Sequence, residues 1–374
     1  MLWILLLGLC LFGLLQTFLC RKLWSRGLSV TLKFTDPYIY ENETSSLQEI
    51  VVNDKWLPLP ALEVRLSMSR FLVFTGEATD NSGISDQSYK RDVFSLLFRQ
   101  KITRTLPFVG KKRGYYEIRE ADAKSYDLLF KDLGFASLPQ NTALYVYPSQ
   151  VDVRRLNMLC TTISGMILVQ NQLFPDPFEF SGLREYLLSD PINRINWKAS
   201  LRMGETMVNQ FDSTTNLDLA LIFDVEDSHI QKYTALVEET IRITASLAAR
   251  LIRGQMPLDI FSNASLEKAD SENLFRMSLP ANAAHMTELN QRLARIDGYS
   301  MPCVQLLSKI DFKAQGKQLT VFISKNTDSE ILDTLGHLAS PGNPILWIIP
   351  IYAYMEQPAI QVPFVKTIFW EVEA

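Results

Sequence analysis

The first 20 residues form one apolar run. Met1–Cys20 contains no charged residue, and Gln16 and Thr17 interrupt it only near its end. A helix of about 20 residues spans roughly 30 Å, the thickness of a bilayer core. A signal peptide would have a basic stretch before the apolar run and a small-residue cleavage site after it, and this run has neither. Arg21 and Lys22 follow it, and positive charge favours the cytoplasmic side. The pattern predicts an uncleaved transmembrane anchor over residues 1–20 and a single-pass cell-membrane protein whose body is cytoplasmic.

The next part of the chain alternates apolar and polar residues with period two. Leu28–Phe34 and Leu62–Leu66 show this pattern, which is typical of half-buried strands. Gly, Pro, Asn and Asp separate further segments of the same kind, and no long helical period occurs among them. Short strands divided by turn residues predict a β-sandwich domain over residues 26–150.

The pattern changes in the last part of the chain. Leu219–Phe223, Leu319–Ile323 and Ile345–Ile349 are continuous apolar runs, typical of strands buried on both faces. Between the first two runs, apolar residues from Tyr233 to Ile252 recur at helical spacing. Alternating strands and helices predict parallel strands joined by crossovers. Residues 212–374 are therefore predicted to form an α/β domain with a mostly parallel sheet, whose ligands would bind at the carboxyl ends of the strands.

Composition narrows the class of protein. Of 374 residues, 47% are apolar and 21% are charged, a balance typical of globular chains. The net charge of 37 − 41 = −4 gives no support to a nucleic-acid partner. Four cysteines exclude a disulfide scaffold, and three histidines exclude a His-rich metal centre.

A charged and aromatic segment lies within residues 151–211, which connect the two predicted domains. Its mixture of Arg, Asp and Lys with Tyr and Trp can form an ionic cluster packed on aromatic faces. The positions concerned are Gly182, Arg184, Tyr186, Asp190, Arg194, Trp197 and Lys198. This string resembles the signature of the family called domain of unknown function 58, with Ser189 where the family usually has Gly. It is either a structural clasp between the domains or a docking surface.

The resemblance extends, more weakly, to Arg113–Tyr115 and to Asp132–Phe135. It implies that the C-terminal domain is similar to a von Willebrand factor A domain. Many family members are encoded beside MoxR-type ATPases and are thought to be non-enzymatic partners in the assembly of protein complexes. The resemblance therefore implies a scaffold or adaptor that binds a MoxR-type ATPase or another membrane-complex component.

Domains of this type often carry Asp-x-Ser-x-Ser after the first strand, where oxygen ligands hold Mg²⁺. Here Asp224 and Ser228 match the pattern, but Glu226 replaces the middle serine. Glu226 offers an oxygen ligand and, being longer and charged, could also fill the open coordination position itself. Lys325, after the next buried strand, brings positive charge to the same edge. Because Glu226 departs from the pattern, we expect a degenerate site at Asp224, Glu226 and Ser228 that serves only protein contact and no cofactor. A working Mg²⁺ site at the same residues stays open as the alternative.

No motif supports catalysis. Asp227-Ser228-His229 contains the residue types of a hydrolase triad, but sequence adjacency does not give relay geometry, and no Gly-x-Ser-x-Gly is present. Nucleotide-binding glycine motifs are absent from the sequence too. We therefore expect a non-enzymatic, membrane-anchored scaffold or adaptor with no catalytic residue and no small-molecule substrate. Two alternatives stay open: an extracytoplasmic, metal-dependent adhesion module, which membrane topology would distinguish, and an unrecognised hydrolase.

Overall fold

The computed structural model describes residues 18, 20–75, 82–84, 87–127, 131–173, 180–187, 190, 192, 195–211, 218–228, 231–266, 274–280, 285–310 and 318–373. The chain divides into two compact units. Unit 1 comprises Met1–Ser149 with Asn290–Arg295, and unit 2 comprises Gln150–Leu289 with Ile296–Ala374.

Unit 1 is built from strands. In chain order they are β1 (Leu28–Phe34), β2 (Tyr38–Tyr40), β3 (Thr44–Asn53), β4 (Leu59–Ser69), β5 (Leu72–Phe74), β6 (Ser82–Ile84), β7 (Gln87–Leu96), β8 (Gln100–Gly110), β9 (Gly114–Tyr126) and β10 (Asp132–Tyr147). They form a four-stranded sheet in the order β1-β3-β8-β5 and a six-stranded sheet in the order β2-β10-β9-β4-β7-β6. Neighbouring strands are antiparallel except for β2 and β10, which are parallel.

Period-two alternation gives each sheet an apolar inner face. Every second residue of β1, from Leu28 to Phe34, is buried. Leu47 and Phe108 from the same sheet, with Leu62 and Leu144 from the other, join one hydrophobic core. Each fully buried side chain of this size stabilises the fold by roughly 1.5–3 kcal/mol.

Unit 2 contains both strands and helices. The strands are β11 (Phe180–Glu185), β12 (Met207–Phe211), β13 (Asp218–Phe223), β14 (Leu258–Ser262), β15 (Ala264–Ser265), β16 (Phe275–Leu279), β17 (Gly298–Tyr299), β18 (Gln318–Ile323), β19 (Ile345–Tyr352) and β20 (Val365–Val372). The helices are α1 (Val153–Leu173), α2 (Trp197–Met203), α3 (Thr234–Arg253), α4 (His285–Ala294, whose residues the two units share), α5 (Cys303–Lys309) and α6 (Ser329–Leu338).

A six-stranded sheet with the order β16-β14-β13-β18-β19-β20 is the centre of unit 2. Strands β14, β13, β18, β19 and β20 run parallel to their neighbours, whereas β16 pairs antiparallel with β14. All residues of β18 and β19 are buried, which is why they are apolar throughout most of their length. Helix α3 buries one face, which includes Ile241, Leu247 and Leu251.

The predicted fold class is wrong. Strand accounts for 45% of the chain and is distributed over several sheets, and the expected mostly parallel sheet of von Willebrand factor A type is not found. The sheet of unit 2 is mixed because β16 returns antiparallel along β14, and two-stranded antiparallel sheets, β11-β12 and β15-β17, accompany it. Strand β16 alternates buried and exposed residues, so a search for continuous apolar runs overlooks it.

The predicted membrane anchor is corrected too. Among the described residues, no helix has the length and hydropathy needed to cross a membrane. Residues 1–20 lie outside the described part of the chain except for Phe18 and Cys20. Cys20 is 8% exposed and, together with Trp24, belongs to the core of unit 1. These findings contradict the predicted localisation as a single-pass cell-membrane protein.

Candidate functional site

Four parallel strands of unit 2 end at the same edge of the sheet. The residues that follow or complete β13, β14, β18 and β19 are 224–228, 263, 324–326 and 352–354, and we call them the strand-end surface. Side chains at the carboxyl ends of neighbouring parallel strands meet because the strands point the same way. This surface contains the sequence-predicted metal residues.

Asp224 is the centre of the strand-end surface. Its side chain is 1% exposed, and both of its carboxylate oxygens accept hydrogen bonds from other protein groups. Oδ1 accepts from Asn263 Nδ2 at 2.7 Å and from the backbone N–H of Glu226 at 2.9 Å. Oδ2 accepts from Ser324 Oγ at 2.6 Å and from Asn326 Nδ2 at 2.8 Å. Four donors from three strand-end loops therefore converge on one buried charge, and such bonds to an ionised acceptor are the strong kind.

The two asparagines extend this network to the backbone. Asn263 Oδ1 accepts the N–H of Val225 at 3.0 Å, and its Nδ2 also donates to the carbonyl of Met301 at 3.1 Å. Asn326 Nδ2 also donates to the carbonyl of Glu226 at 3.1 Å. Both amides are buried. The loops after β13, β14 and β18 are thus held together by side chains whose polar groups have partners.

The three residues predicted as metal ligands are not gathered around one point. Asp224 already engages four donors, which is about the number of lone pairs a carboxylate offers. Glu226 Oε2 accepts the backbone N–H of Cys303 at 2.7 Å, and Ser228 is exposed to solvent. In the part of the chain that the structure describes, no three His, Cys, Asp or Glu side chains are placed to hold a metal. This donor set does not fit Mg²⁺, because the ion would have to displace hydrogen bonds that are already made.

Cys303 lies beside this network, where its backbone N–H donates to Glu226 Oε2. It is fully buried at the start of α5. Burial, followed by the negative charge and hydrogen bond of Asp224, raises the pKa of the Cys303 thiol far above its usual range. Only the thiolate is a good nucleophile. Cys303 is therefore a packed thiol in this structure.

An ion pair lies beside the buried carboxylate. Lys325 Nζ is 3.1 Å from Asp227 Oδ1, and the two side chains are only 3% and 15% exposed. Asp227 Oδ2 accepts the N–H of Tyr233 at 3.0 Å, just before α3. Lys232 Nζ donates to the Asp227 carbonyl. These contacts fix the end of the β13 loop.

Three tyrosines lie at this surface. The sequence pattern places Tyr233 at the start of a predicted helix and does not mark Tyr352 or Tyr354 as site residues. The rings of Tyr233 and Tyr352 are 6.2 Å apart, and those of Tyr352 and Tyr354 are stacked at 5.3 Å. Tyr352 is 9% exposed and Tyr354 is 68% exposed. Burial and then the neighbouring Tyr354, Tyr233 and Asp227 raise the pKa of Tyr352. For Tyr352 and Tyr354, the position directly after a buried apolar run is the signal that could have identified them.

The family-signature residues lie elsewhere in unit 2, on the β11-β12 hairpin and α2. Arg184 Nη1 and Nη2 donate to Asp190 Oδ2 and Oδ1 at 2.7 and 2.6 Å, a two-pronged ion pair. Gly182 lies on β11, and the N–H of Tyr186 donates to the Thr206 carbonyl at 2.8 Å.

The structure separates the remaining signature residues from this ion pair. Trp197 and Lys198 begin α2, and both are exposed or partly exposed, Trp197 by 64%. Arg194 lies outside the described residues, as does His229 of the Asp227-Ser228-His229 string. Of the signature residues, Arg184 and Asp190 therefore form an ion pair, whereas Trp197 lies at the surface.

Comparisons with known proteins find only distant structural similarities. No family model and no curated protein matches the chain. A non-cellulosomal cohesin from Archaeoglobus fulgidus is 9% identical, with a TM-score of 0.23, over 32% of this chain and 91% of the cohesin. A CARDB domain from Pyrococcus furiosus in complex with di-metal ions is 15% identical, with a TM-score of 0.19, over 32% of this chain and 94% of that domain.

A further similar structure is the sixth cohesin of Acetivibrio cellulolyticus scaffoldin B, in complex with a mutant Cel5 dockerin. It is 9% identical, with a TM-score of 0.22, over 32% of this chain and 99% of the cohesin. Some of the similar structures are therefore domains seen bound to another protein. Scores this low support no inference about this chain, and none of these structures shows a specific partner for it.

Proposed function

We propose that this protein is a non-enzymatic adaptor that binds a protein partner on the strand-end surface. One observation carries the proposal: the buried Asp224 carboxylate receives four donors from three strand-end loops. The protein's own hydrogen bonds fix these loops without a metal ion. A rigid surface loses less conformational entropy when a partner docks, and this preorganisation favours affinity.

The exposed part of the surface has the chemistry of a protein contact. Tyr354 presents an aromatic face and a hydroxyl group, and Tyr352 stacks beneath it and limits its rotamers. Tyrosine is enriched at protein interfaces because one end is apolar and the other forms hydrogen bonds. Ser228 adds an exposed hydroxyl, and Asp227 adds a partly buried carboxylate.

The resemblance to the domain of unknown function 58 family suggests the first partner to test. It implies a MoxR-type ATPase, and the proposed contact needs only a groove that accepts a tyrosine side chain. The experiment is a calorimetric titration of the full chain with a purified MoxR-type ATPase from the same organism.

Tyr354→Ala tests the surface directly. Tyrosine is enriched among the interface residues that contribute more than 1 kcal/mol, so we expect Kd to rise by about fivefold or more. Phe364→Ala is the matched control. Phe364 is an aromatic residue that is 53% exposed, and it lies at the amino end of β20, away from the carboxyl ends that form the strand-end surface. Equal binding by wild type and Tyr354→Ala would contradict the proposed surface, and absence of binding by the wild type would reject this partner.

A further inference from the structure

Unit 1 encloses a group of charged side chains between its two sheets. Glu49 lies on β3 of the four-stranded sheet and is fully buried. Lys90 and Asp92 lie on β7 of the six-stranded sheet, and each is 6% exposed. Arg104 lies on β8, directly opposite Glu49 in the strand register. Charged residues are rarely buried unless they have partners, so this group requires an explanation.

Asp92 has cationic partners. Arg104 Nη1 donates to Asp92 Oδ1 at 2.7 Å, and Lys90 Nζ lies 3.4 Å from Asp92 Oδ2. Lys90 Nζ also lies 4.6 Å from the centre of the Phe74 ring. An ionised Asp92 is therefore compensated by two positive charges.

Glu49 is different. Among the described residues, no donor hydrogen-bonds to either of its carboxyl oxygens, and Asp92 Oδ2 also accepts no hydrogen bond. An ionised carboxylate in such a place would incur a desolvation cost of several kcal/mol, and buried groups commonly take up a proton instead. The carboxyls of Glu49 and Asp92 are within hydrogen-bonding reach of each other. A proton on Glu49 would turn its carboxyl into a donor, which Asp92 Oδ2 lacks among the described residues.

We propose that Glu49 is protonated at neutral pH and donates a hydrogen bond to the Asp92 carboxylate, forming a proton-dependent latch between the two sheets of unit 1. Burial, and next the negative charge of Asp92, raise the pKa of Glu49 to about 8, although Lys90 and Arg104 act in the opposite direction. Loss of the proton leaves two neighbouring carboxylates, which repel each other and weaken the packing between the two sheets.

The latch makes stability depend on pH. In the unfolded chain Glu49 releases its proton near 4.5, the ordinary pKa of a glutamate, whereas in the folded chain it keeps the proton to about pH 8. Between these values the folded state binds more protons than the unfolded state, so stability decreases as pH rises. Glu49 changes the unfolding equilibrium constant by at most about tenfold per pH unit in this window. Its contribution is complete below pH 4.5 and is lost above about pH 8.

The first test follows the carboxyl carbon of Glu49 by NMR. The full chain is labelled with ¹³C-glutamate, and the Glu49 signal is identified by its loss in Glu49→Gln. We expect this signal to titrate with a midpoint near pH 8. A midpoint below about pH 7 would overturn the proposal, because Glu49 would then be mostly ionised at neutral pH.

The second test measures stability against pH. A glutamine side chain has nearly the same shape as glutamic acid and carries a permanent donor toward Asp92, so Glu49→Gln should keep its neutral-pH stability and lose the decline between about pH 5 and 8. Glu117→Gln is the control, since Glu117 is partly exposed and paired with Arg119, and it should keep the wild-type decline. Urea unfolding of the full chain at each pH measures the free energy of unfolding. Hydrogen exchange in peptides from β3 and β7 then shows whether the loss of stability lies at these strands. The same decline in Glu49→Gln as in wild type would overturn the proposal.

Discussion

At the scale of single residues, Asp224 has the largest effect on the strand-end surface. Its carboxylate is the shared acceptor for Asn263, Ser324 and Asn326, which belong to loops that are 39 to 102 residues away in sequence. Such a charge is stable in the interior because every lone pair faces a donor. Removing it would take the acceptor from the Ser324 hydroxyl and from one of the hydrogen bonds of each asparagine amide.

Asp224→Asn is therefore expected to destabilise unit 2. The amide nitrogen replaces an accepting oxygen and faces donors, so at least one buried hydrogen bond is lost and a donor–donor contact is created. We expect a loss of about 2–3 kcal/mol, the range for bonds to a charged group. Urea unfolding of the full chain measures it, with Asp333→Asn, a residue of α6 that lies outside its buried face, as the control. Equal stability of the two variants would show that Asp224 is not a structural acceptor.

Part of this site is predictable from the sequence. Asp224, Glu226 and Ser228 follow a continuous apolar run, and their spacing identifies them as a candidate site. Their partners come after other strands, and no local spacing connects Asn263 with Asp224. The partners become visible only when the ends of several parallel strands are considered together, because the fold and not the motif brings them into contact.

At the scale of elements, continuous apolar runs locate buried strands well. Leu219–Phe223 and Leu319–Ile323 are strands in the structure, and the predicted helix beginning at Tyr233 is α3, Thr234–Arg253. The antiparallel edge strand β16 was missed because it is only five residues long and alternates buried with exposed positions. Short edge strands are less apolar because one face meets solvent, and this mixed edge makes the predicted sheet type wrong.

The β11-β12 hairpin allows a test of the family signature. The Asp190 carboxylate accepts hydrogen bonds from Nη1 and Nη2 of Arg184. It also accepts one from the backbone N–H of Leu187, at 2.9 Å. Asp190 is 11% exposed and Arg184 is 41% exposed, so the carboxylate is protected from solvent while the guanidinium is partly screened by it. Because this ion pair closes the turn after β11, its loss should loosen the hairpin locally.

Asp190→Asn is accordingly expected to speed amide hydrogen exchange several-fold in peptides covering 180–187 and 205–211, with little change in the parallel strands. Hydrogen-exchange mass spectrometry makes the comparison. Arg202→Ala serves as the control, since Arg202 is exposed on α2 and forms no ion pair with any residue that the structure describes. Unchanged exchange in Asp190→Asn would mean that the signature pair does not hold the hairpin.

At the scale of the whole molecule, each unit contains a buried acidic side chain, and the two side chains differ in the hydrogen-bond donors around them. In unit 2, four donors stabilise the Asp224 charge. In unit 1, Glu49 finds no donor among the residues that the structure describes and is proposed to keep its proton. Composition and periodicity predict neither outcome, because both depend on which side chains meet across separate strands. The proposed adaptor therefore combines a fixed binding edge with a second unit whose stability responds to pH.

The strand-end surface is proposed to need no metal ion to hold its loops in place. Thermal unfolding of the full chain with increasing Mg²⁺, compared with Asp224→Asn, tests this claim most directly. We predict no saturable rise of Tm in the wild type, because the Asp224 oxygens are already engaged by protein donors. A saturable rise that Asp224→Asn abolishes would contradict the account and would mean that a divalent cation replaces those donors.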